Sequence, residues 1–103
     1  MTAQVLEQIP ERDGDGYLLD MHTWTPDIGR AMALADSFDI NDDMWKQIDL
    51  ARAIYQKSDT VPPLLKFMKF IGAEKKLMFK MWTTGPMKPI TKYGGLPKPT
   101  GCV

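Results

Sequence analysis

Apolar positions recur with a helical period over most of the chain, and start or stop signals bound each helical stretch. Thr25-Pro26-Asp27 supplies an N-cap hydroxyl, a proline at the first helical position and an early carboxylate, which predicts a helix ending near Ser37-Phe38. Asn41 precedes a longer helix from about residue 42 to Lys57, because its apolar residues are spaced by three and four. The middle of the chain is therefore predicted to be helical.

Two shorter helices are predicted on either side of Gly72, a residue type that commonly ends a helix. The first follows Pro62-Pro63. The second runs from Ala73 to Trp82 with its lysines outward, and its residues expected to face inward are Leu77, Met78, Met81 and Trp82. After Gly85-Pro86, the stretch from Met87 to Tyr93 is expected to form at most a short helix that Pro89 interrupts.

A small hairpin is predicted at the N-terminal end. Gln4 to Pro10 is the first strand, Asp13-Gly14-Asp15-Gly16 is the turn, and Tyr17-Leu18-Leu19 is the returning strand. The fold class expected from these elements is mainly α (α+β), a small helical bundle with an N-terminal β-hairpin.

The carboxylates of the predicted turn also occur at calcium-loop spacing, with Glu11, Asp13, Asp15 and Gly16 at positions 1, 3, 5 and 6. Position twelve is His22, where a bidentate glutamate is required, so a plain turn is the favoured interpretation. His22 is the only histidine, and a capping or packing role is expected for it. We predict no metal site.

Length and composition narrow the class of protein. With 103 residues, one cysteine and no long apolar run, the chain is expected to be one domain without an internal disulfide or a membrane span, in the cytoplasm. Residues 1–60 hold 5 Lys and Arg against 12 Asp and Glu, a net charge of −7, whereas residues 61–103 hold 8 Lys against one Glu, a net charge of +7. Two explanations are open: the two halves pack against each other, or the basic half forms a surface that binds an acidic partner.

A winged-helix nucleic-acid-binding or regulatory module is the alternative of another class. The lysines of the predicted helix Ala73 to Trp82 suit phosphate, and the hairpin can act as a wing. That helix has no Arg, Asn or Gln for bidentate contacts with base edges. Sequence-specific binding, and direct nucleic-acid binding in general, is therefore disfavoured.

The tail carries the only cysteine, Cys102. Gly94-Gly95 is interpreted as a hinge, and Pro97 and Pro99 favour an extended path of about 3.1 Å per residue, so the segment from Gly95 to Cys102 reaches roughly 20–25 Å. A thiol at the tip of such an arm suits a group carrier, and a frayed tail with an incidental cysteine is the alternative. The predicted division is a helical domain over residues 1–93 and a mobile arm over residues 94–103.

The tail Gly94-Gly95-Leu96-Pro97-Lys98-Pro99-Thr100-Gly101-Cys102-Val103 closely resembles the C-terminal signature of the TusE/DsrC family of sulfur-relay proteins. The resemblance continues upstream, in family order, through Asp15-Gly16-Tyr17-Leu18, Trp24-Thr25-Pro26, Trp45, Arg52 with Tyr55, and Pro62-Pro63. It implies a helical domain with a hairpin, a winged-helix-like element and a flexible C-terminal arm, whose penultimate cysteine carries sulfur as a persulfide.

The resemblance also implies the partners and the chemistry. In the TusE branch an upstream sulfurtransferase complex supplies the sulfur and a tRNA 2-thiouridine enzyme receives it; in the DsrC branch a second cysteine takes part in dissimilatory sulfur metabolism with a sulfite reductase. Thr91 occupies that second position here, which favours a TusE-like sulfurtransferase over a DsrC-like partner of sulfite reductase.

We expect Cys102 to be the catalytic nucleophile of a transpersulfidation that requires no cofactor. Relatives have an arginine-containing segment after Pro-Pro, where this chain has Leu64-Leu65, so the basic groups left to contact the thiolate or a partner are Lys98, Lys92, Lys88 and Arg52.

Overall fold

The computed structural model describes residues 9–99, and within them the chain is almost entirely helical. A 3₁₀ helix, Met21–Thr23, precedes five α-helices, and their bounds are α1 Pro26–Ala35, α2 Asp42–Ser58, α3 Leu64–Ile71, α4 Lys75–Trp82 and α5 Met87–Tyr93. The prediction of a mainly helical fold is confirmed. No helix in this part of the chain has the length and apolar character needed to cross a membrane.

Local capping explains where the helices begin and end. The Thr25 hydroxyl accepts a hydrogen bond from the Ile28 amide at 3.1 Å, and the side-chain oxygen Oδ1 of Asn41 accepts one from the Met44 amide at 2.9 Å. Helix α3 ends at Gly72, whose φ of 69° places it in the left-handed region. These signals lie within a few residues of each helix end, which is why the predicted bounds agree closely with the observed ones.

Helix α5 is continuous, so the prediction that Pro89 interrupts it was wrong. Pro89 is the third residue of the helix, and the amides of the first turn have no acceptor within the helix. Its missing N–H therefore removes no helical hydrogen bond.

The hairpin is a tight turn with one antiparallel bridge, between Arg12 and Leu18. The Asp13 amide donates to the Tyr17 carbonyl oxygen at 2.7 Å, and the Asp13 carboxylate accepts from the amides of Asp15 and Tyr17 at 2.8 and 3.1 Å. The turn amides are bonded to a side chain rather than to a ladder, so the strands are shorter than predicted. Residues 4–8 of the first predicted strand lie outside the described part.

The core lies between the helices, with α5 packed against α1 and α2. Its fully buried side chains include Met32, Ile48, Phe67, Met78, Trp82, Met87 and Ile90. Leu77 is 58% exposed, so its predicted inward position was wrong. At about 100° per residue, Leu77 lies roughly 140° around α4 from Trp82, which is too far to reach the same core.

The core continues beyond the last helix to Leu96, which is only 5% exposed. The Leu96 amide donates to the Thr91 carbonyl oxygen at 2.9 Å, which turns the chain back over the end of α5. In this structure the start of the predicted arm is packed on the body, and the predicted division at residue 94 stays a prediction about motion.

Candidate functional site at the base of the C-terminal tail

Two side chains bind consecutive carbonyl groups where α5 ends and the tail begins. The Trp24 indole N–H donates to the Tyr93 carbonyl oxygen at 2.8 Å, and the Arg52 guanidinium donates to the Gly94 carbonyl oxygen at 2.6 Å. The guanidinium carbon of Arg52 lies 3.7 Å from the centre of the Trp24 ring, a cation–π contact that couples the two donors. Trp24 and Arg52 therefore fix the direction in which the tail leaves the last helix.

Both glycines of the predicted hinge are buried against this pair and the end of α5. Gly95 has a φ of 65°, and a Cβ at that position would overlap the Trp24 ring. A Cβ on Gly94 would collide with the Ile90 carbonyl oxygen. Close packing thus gives a second reason for glycine at these two positions, and the hinge stays a prediction.

Arg52 also faces a cleft of about 300 Å³ on its outer side. Burial lowers the pKa of Arg52 below its usual value, and the nearby Asp49 carboxylate works in the opposite direction. His22 lines the same cleft with an exposed side chain. Its amide bonds to the Asp20 carboxylate at 2.9 Å as part of a helix cap, in keeping with the expected structural role.

Lys98 joins the tail to the hairpin turn. Its ammonium lies 2.8 Å from an Asp15 carboxylate oxygen and 3.2 Å from one of Asp13, with 51% of the side chain exposed. Hydrogen bonds to Asp15 and Asp13 raise the pKa of Lys98. Burial works to raise the pKa of Asp13, but the Tyr17 amide and the Lys98 ammonium outweigh it and lower that pKa. The closely spaced carboxylates of the turn thus hold an ammonium group of the tail.

Thr91, at the position where the resemblance places a second cysteine, is completely buried. Its hydroxyl lies 2.8 Å from the Tyr17 hydroxyl and donates to the Met87 carbonyl oxygen at 2.7 Å. Burial raises the pKa of Tyr17, although its hydrogen bond with Thr91 works in the opposite direction. A neutral pair of hydroxyl groups therefore joins Tyr17 of the hairpin turn to Thr91 of α5.

Tyr17 of this pair also lines a cleft of about 400 Å³, whose other lining residues are Asp15, Lys88, Lys92, Lys98 and Pro99. The fold thus brings three of the four predicted basic groups together at this cleft and leaves the fourth, Arg52, at the separate cleft lined by His22. Pro99 is the last described residue. Cys102 lies outside the described residues, three positions further along.

Sequence reasoning identifies Lys98 and Arg52 but misses their counterparts at the tail base, Trp24, Asp13 and Asp15. From the sequence, Trp24 is only part of a family pattern, and Asp13 and Asp15 predict only a plain turn. The oppositely charged residues are far apart in the chain, 83 positions between Asp15 and Lys98, so no local pattern signals their contact. The opposite net charges of the two halves were the available signal.

Comparison with known proteins agrees with this geometry. The sequence profile of the family described as DsrC like protein matches residues 4–103. The chain belongs to this family. A relative from Haemophilus influenzae named as a sulfurtransferase TusE homolog is 36% identical over 100 residues, covering 90% of this chain and 92% of its own. A second, from Nitratidesulfovibrio vulgaris, is named as the gamma subunit of dissimilatory-type sulfite reductase and is 35% identical, with 90% of each chain covered.

Solved structures of the family share the fold. The DsrC of Allochromatium vinosum superposes with a TM-score of 0.79 at 29% identity, covering 89% of this chain and 88% of that one. The oxidised gamma subunit of dissimilatory sulfite reductase from Archaeoglobus fulgidus gives a TM-score of 0.77 at 30% identity, covering 91% and 92%. The resemblance to the TusE/DsrC family of sulfur-relay proteins is therefore confirmed, and both branches are represented among the relatives.

Proposed function

We propose that this protein is a sulfur carrier that accepts a persulfide sulfur on Cys102 and passes it to an acceptor protein, in a relay such as tRNA 2-thiouridine synthesis. The observation that carries the proposal is that Trp24, Arg52 and Lys98 hold the start of the tail against the body of the protein. Lys98 holds the tail beside a lysine-lined cleft, and the only cysteine of the chain follows four residues later.

The proposed reaction is a transpersulfidation. The Cys102 thiolate attacks the outer sulfur of a donor persulfide, a new sulfur–sulfur bond forms at Cys102, and the donor cysteine leaves as a thiolate. Delivery is the same exchange with the roles changed. An acceptor thiolate attacks the outer sulfur of the Cys102 persulfide, and Cys102 leaves as a thiolate. The step is redox-neutral and needs no metal or organic cofactor. Lys88, Lys92 and Lys98 are proposed to favour the anionic forms of the carrier by their positive charge.

Thr91 supports the TusE-like assignment. A threonine hydroxyl bonded to Tyr17 and Met87 offers no thiol for an internal disulfide, so a one-cysteine carrier is the chemistry available to the chain. The upstream partner proposed is a sulfur-donor sulfurtransferase complex, and the downstream partner is an acceptor enzyme of the tRNA thiolase type.

A DsrC-like partner of dissimilatory sulfite reductase or of sulfur-oxidation proteins is the second candidate. It is favoured by the 35% identity to a gamma subunit of that enzyme and by the structural likeness to two DsrC proteins. Thr91 argues against the two-cysteine form of that role. The two candidates differ in the acceptor and share the loading step.

Loading is tested with a protein persulfide donor, such as a purified cysteine desulfurase with its sulfurtransferase partner, followed by intact mass measurement. A gain of about 32 Da that reductant removes is expected for the native chain and is absent in Cys102→Ser. The matched control adds Ser58→Cys to Cys102→Ser, which returns one exposed thiol at the end of α2. Equal loading of that control and the native chain would overturn the proposal, since any exposed thiol would then serve.

A further inference from the structure

The ion pairs of the described residues decide between the two explanations of the opposite charges of the halves. Three pairs, Arg12–Asp36, Arg30–Asp27 and Lys46–Asp43, join residues within the first half. Lys98 alone pairs the second half with the first. The other seven lysines of the second half make no ion pair with a carboxylate of residues 9–99. Within this part of the chain, packing of the two halves therefore leaves most of the opposite charges unpaired.

Five of those seven lysines lie on α3 and α4, where large apolar side chains are also exposed. Within the described part, six large apolar residues are exposed, and four of them are on these two helices: Leu65 at 58%, Phe70 at 64%, Leu77 at 58% and Phe79 at 37%. Isolated exposed apolar residues are ordinary, but four on consecutive short helices of a small protein are typical of an interaction surface.

Helical geometry places these groups on the outer sides of the two helices. In α3, Leu65, Lys69 and Phe70 span about 140° around the helix axis, opposite the buried Leu64, Phe67 and Met68. In α4, Lys76, Leu77 and Lys80 lie together on the side away from Trp82. We call these six residues, Leu65, Lys69, Phe70, Lys76, Leu77 and Lys80, the basic-apolar surface.

We propose that the basic-apolar surface is the docking site for an acidic protein that exchanges sulfur with Cys102, an inference that rests on the function proposed above. Lysines between exposed leucine and phenylalanine complement a partner with carboxylates around an apolar patch. The charge steers the encounter, and burial of the apolar side chains supplies affinity once water is excluded.

Three other occupants fit these observations less well. The phosphates of a nucleic acid are contacted by cationic and polar groups, so the exposed leucine and phenylalanine side chains would gain nothing from them. The basic-apolar surface also has no Arg, Asn or Gln to bind base edges. A membrane surface requires a wide apolar face, whereas four of the six apolar residues of α3 and three of the five of α4 are buried in the core or packed against it. A second copy could offer its acidic half, but such a head-to-tail contact joins two different surfaces and gives open chains unless the rotation closes a ring.

The first experiment compares loading by a protein and by a small molecule. The variant Lys76→Glu/Lys80→Glu is expected to load about tenfold more slowly than the native chain from the protein persulfide donor at low salt, and to load equally from inorganic polysulfide. The matched control, Lys46→Glu/Lys57→Glu, reverses two exposed lysines of α2 and is expected to load normally from both. Equal melting temperatures of the three proteins exclude a folding defect.

Two outcomes of this comparison would overturn the proposal. Equal loading of the two variants from the protein donor would show that these charges do not guide docking. Slower loading from polysulfide as well would show that the substitutions act on Cys102 itself.

The second experiment identifies the occupant without relying on sulfur transfer. A photoreactive amino acid replaces Leu77, or Leu34 of α1 as the matched exposed control, and is activated in cells. A protein of acidic net charge, cross-linked from position 77 only and lost in the Lys76→Glu/Lys80→Glu background, is the expected result. RNA, lipid or a second copy of this chain as the adduct would overturn the proposal. Cys102→Ser should keep the adduct, so failure of the sulfur chemistry and failure of docking are told apart.

Discussion

The hydroxyl groups of Tyr17 and Thr91 lie 2.8 Å apart and join the hairpin turn to the last helix. Thr91 is completely buried, and the cleft of about 400 Å³ lined by Tyr17 and Lys88 lies beside it. Cys102 is three positions beyond Pro99 at this cleft, a span of roughly 10 Å when extended. The cleft is therefore within reach of the cysteine.

The first prediction concerns this reach. Thr91→Cys is expected to permit an internal disulfide with Cys102 after mild oxidation, because a disulfide needs Cα atoms roughly 4.4–6.8 Å apart and the tail can bring its end to the cleft. The native chain should give only Cys102-linked dimers or mixed disulfides. Non-reducing electrophoresis distinguishes the bridged monomer from the dimer.

The control for that experiment is Thr60→Cys, which places a second thiol at an exposed position after α2. It should form dimers without the bridged monomer. If Thr91→Cys also gave only dimers, the tail would not approach the cleft, and delivery to an external acceptor would be the mechanism left to Cys102.

The second prediction concerns the packing of Gly95. Gly95→Ala is expected to lower the free energy of unfolding by about 2–4 kcal/mol, because it combines a left-handed backbone with a collision against the Trp24 ring. Gly72→Ala has a similar φ of 69° and open space around it, and should cost only about 1 kcal/mol. Gly14→Ala, also in open space, should cost less than about 0.5 kcal/mol.

Urea denaturation of the three variants gives these differences as shifts in midpoint at constant slope. The order of the costs is the test. A Gly95→Ala variant no less stable than Gly72→Ala would mean that Trp24 does not pack on the tail base in solution.

The helices were predictable from the sequence because their signals are local. Thr25, Asn41 and Gly72 lie at helix ends and act on amides or carbonyl groups within four residues. The family was predictable as well, since the tail motif is long and specific. Which side of a helix is buried was harder to predict. Leu77 belongs to a helix in which five of eight residues are apolar, and only the packing of α4 decides which of them are buried.

The base of the tail could not be predicted, because its contacts join residues far apart in the chain. Arg52 and Gly94 are 42 positions apart, and Asp15 and Lys98 are 83 apart. A glycine pair followed by prolines predicts flexibility, and nothing local indicates that Trp24 and Arg52 hold it. The lysines of the cleft were named from the sequence, but their convergence depends on the tertiary fold.

The third prediction concerns the ion pair of Lys98. Lys98→Glu is expected to weaken the attachment of the tail to the hairpin turn and to speed hydrogen exchange of the Leu96 amide by about two- to fivefold, the scale of an exposed ion pair. Exchange at this amide is informative because it bonds to the Thr91 carbonyl oxygen. The measurement is hydrogen exchange followed by NMR at low salt.

Charge reversal of both partners supplies the control. Adding Asp15→Lys to Lys98→Glu should restore part of the protection of the Leu96 amide against exchange. Asp15→Lys alone, which places two lysines together, should give no such protection. High salt should reduce the difference between the native chain and Lys98→Glu. Unchanged exchange in Lys98→Glu at low salt would show that the pair contributes nothing to holding the tail.

The last prediction concerns alkaline pH and Tyr93. Burial raises the pKa of Tyr93 above its ordinary value of 10.0, and its hydrogen bond to the Asp36 carboxylate at 2.8 Å adds to the shift. The folded state thus favours the neutral phenol, so this stabilisation is complete below about pH 10 and is lost as the pH rises towards the pKa of the folded state.

The free energy of unfolding should fall above pH 10, and Tyr93→Phe should flatten that fall. The same variant should cost about 1–3 kcal/mol at neutral pH, because it loses a hydrogen bond to a charged group. Asp36→Asn keeps the phenol and removes the charge, so it should lower the pKa of Tyr93 towards its ordinary value. Urea denaturation across pH 8–11, with the phenolate absorbance followed in parallel, measures both effects, and an alkaline fall that is equally steep in Tyr93→Phe would remove Tyr93 as its cause.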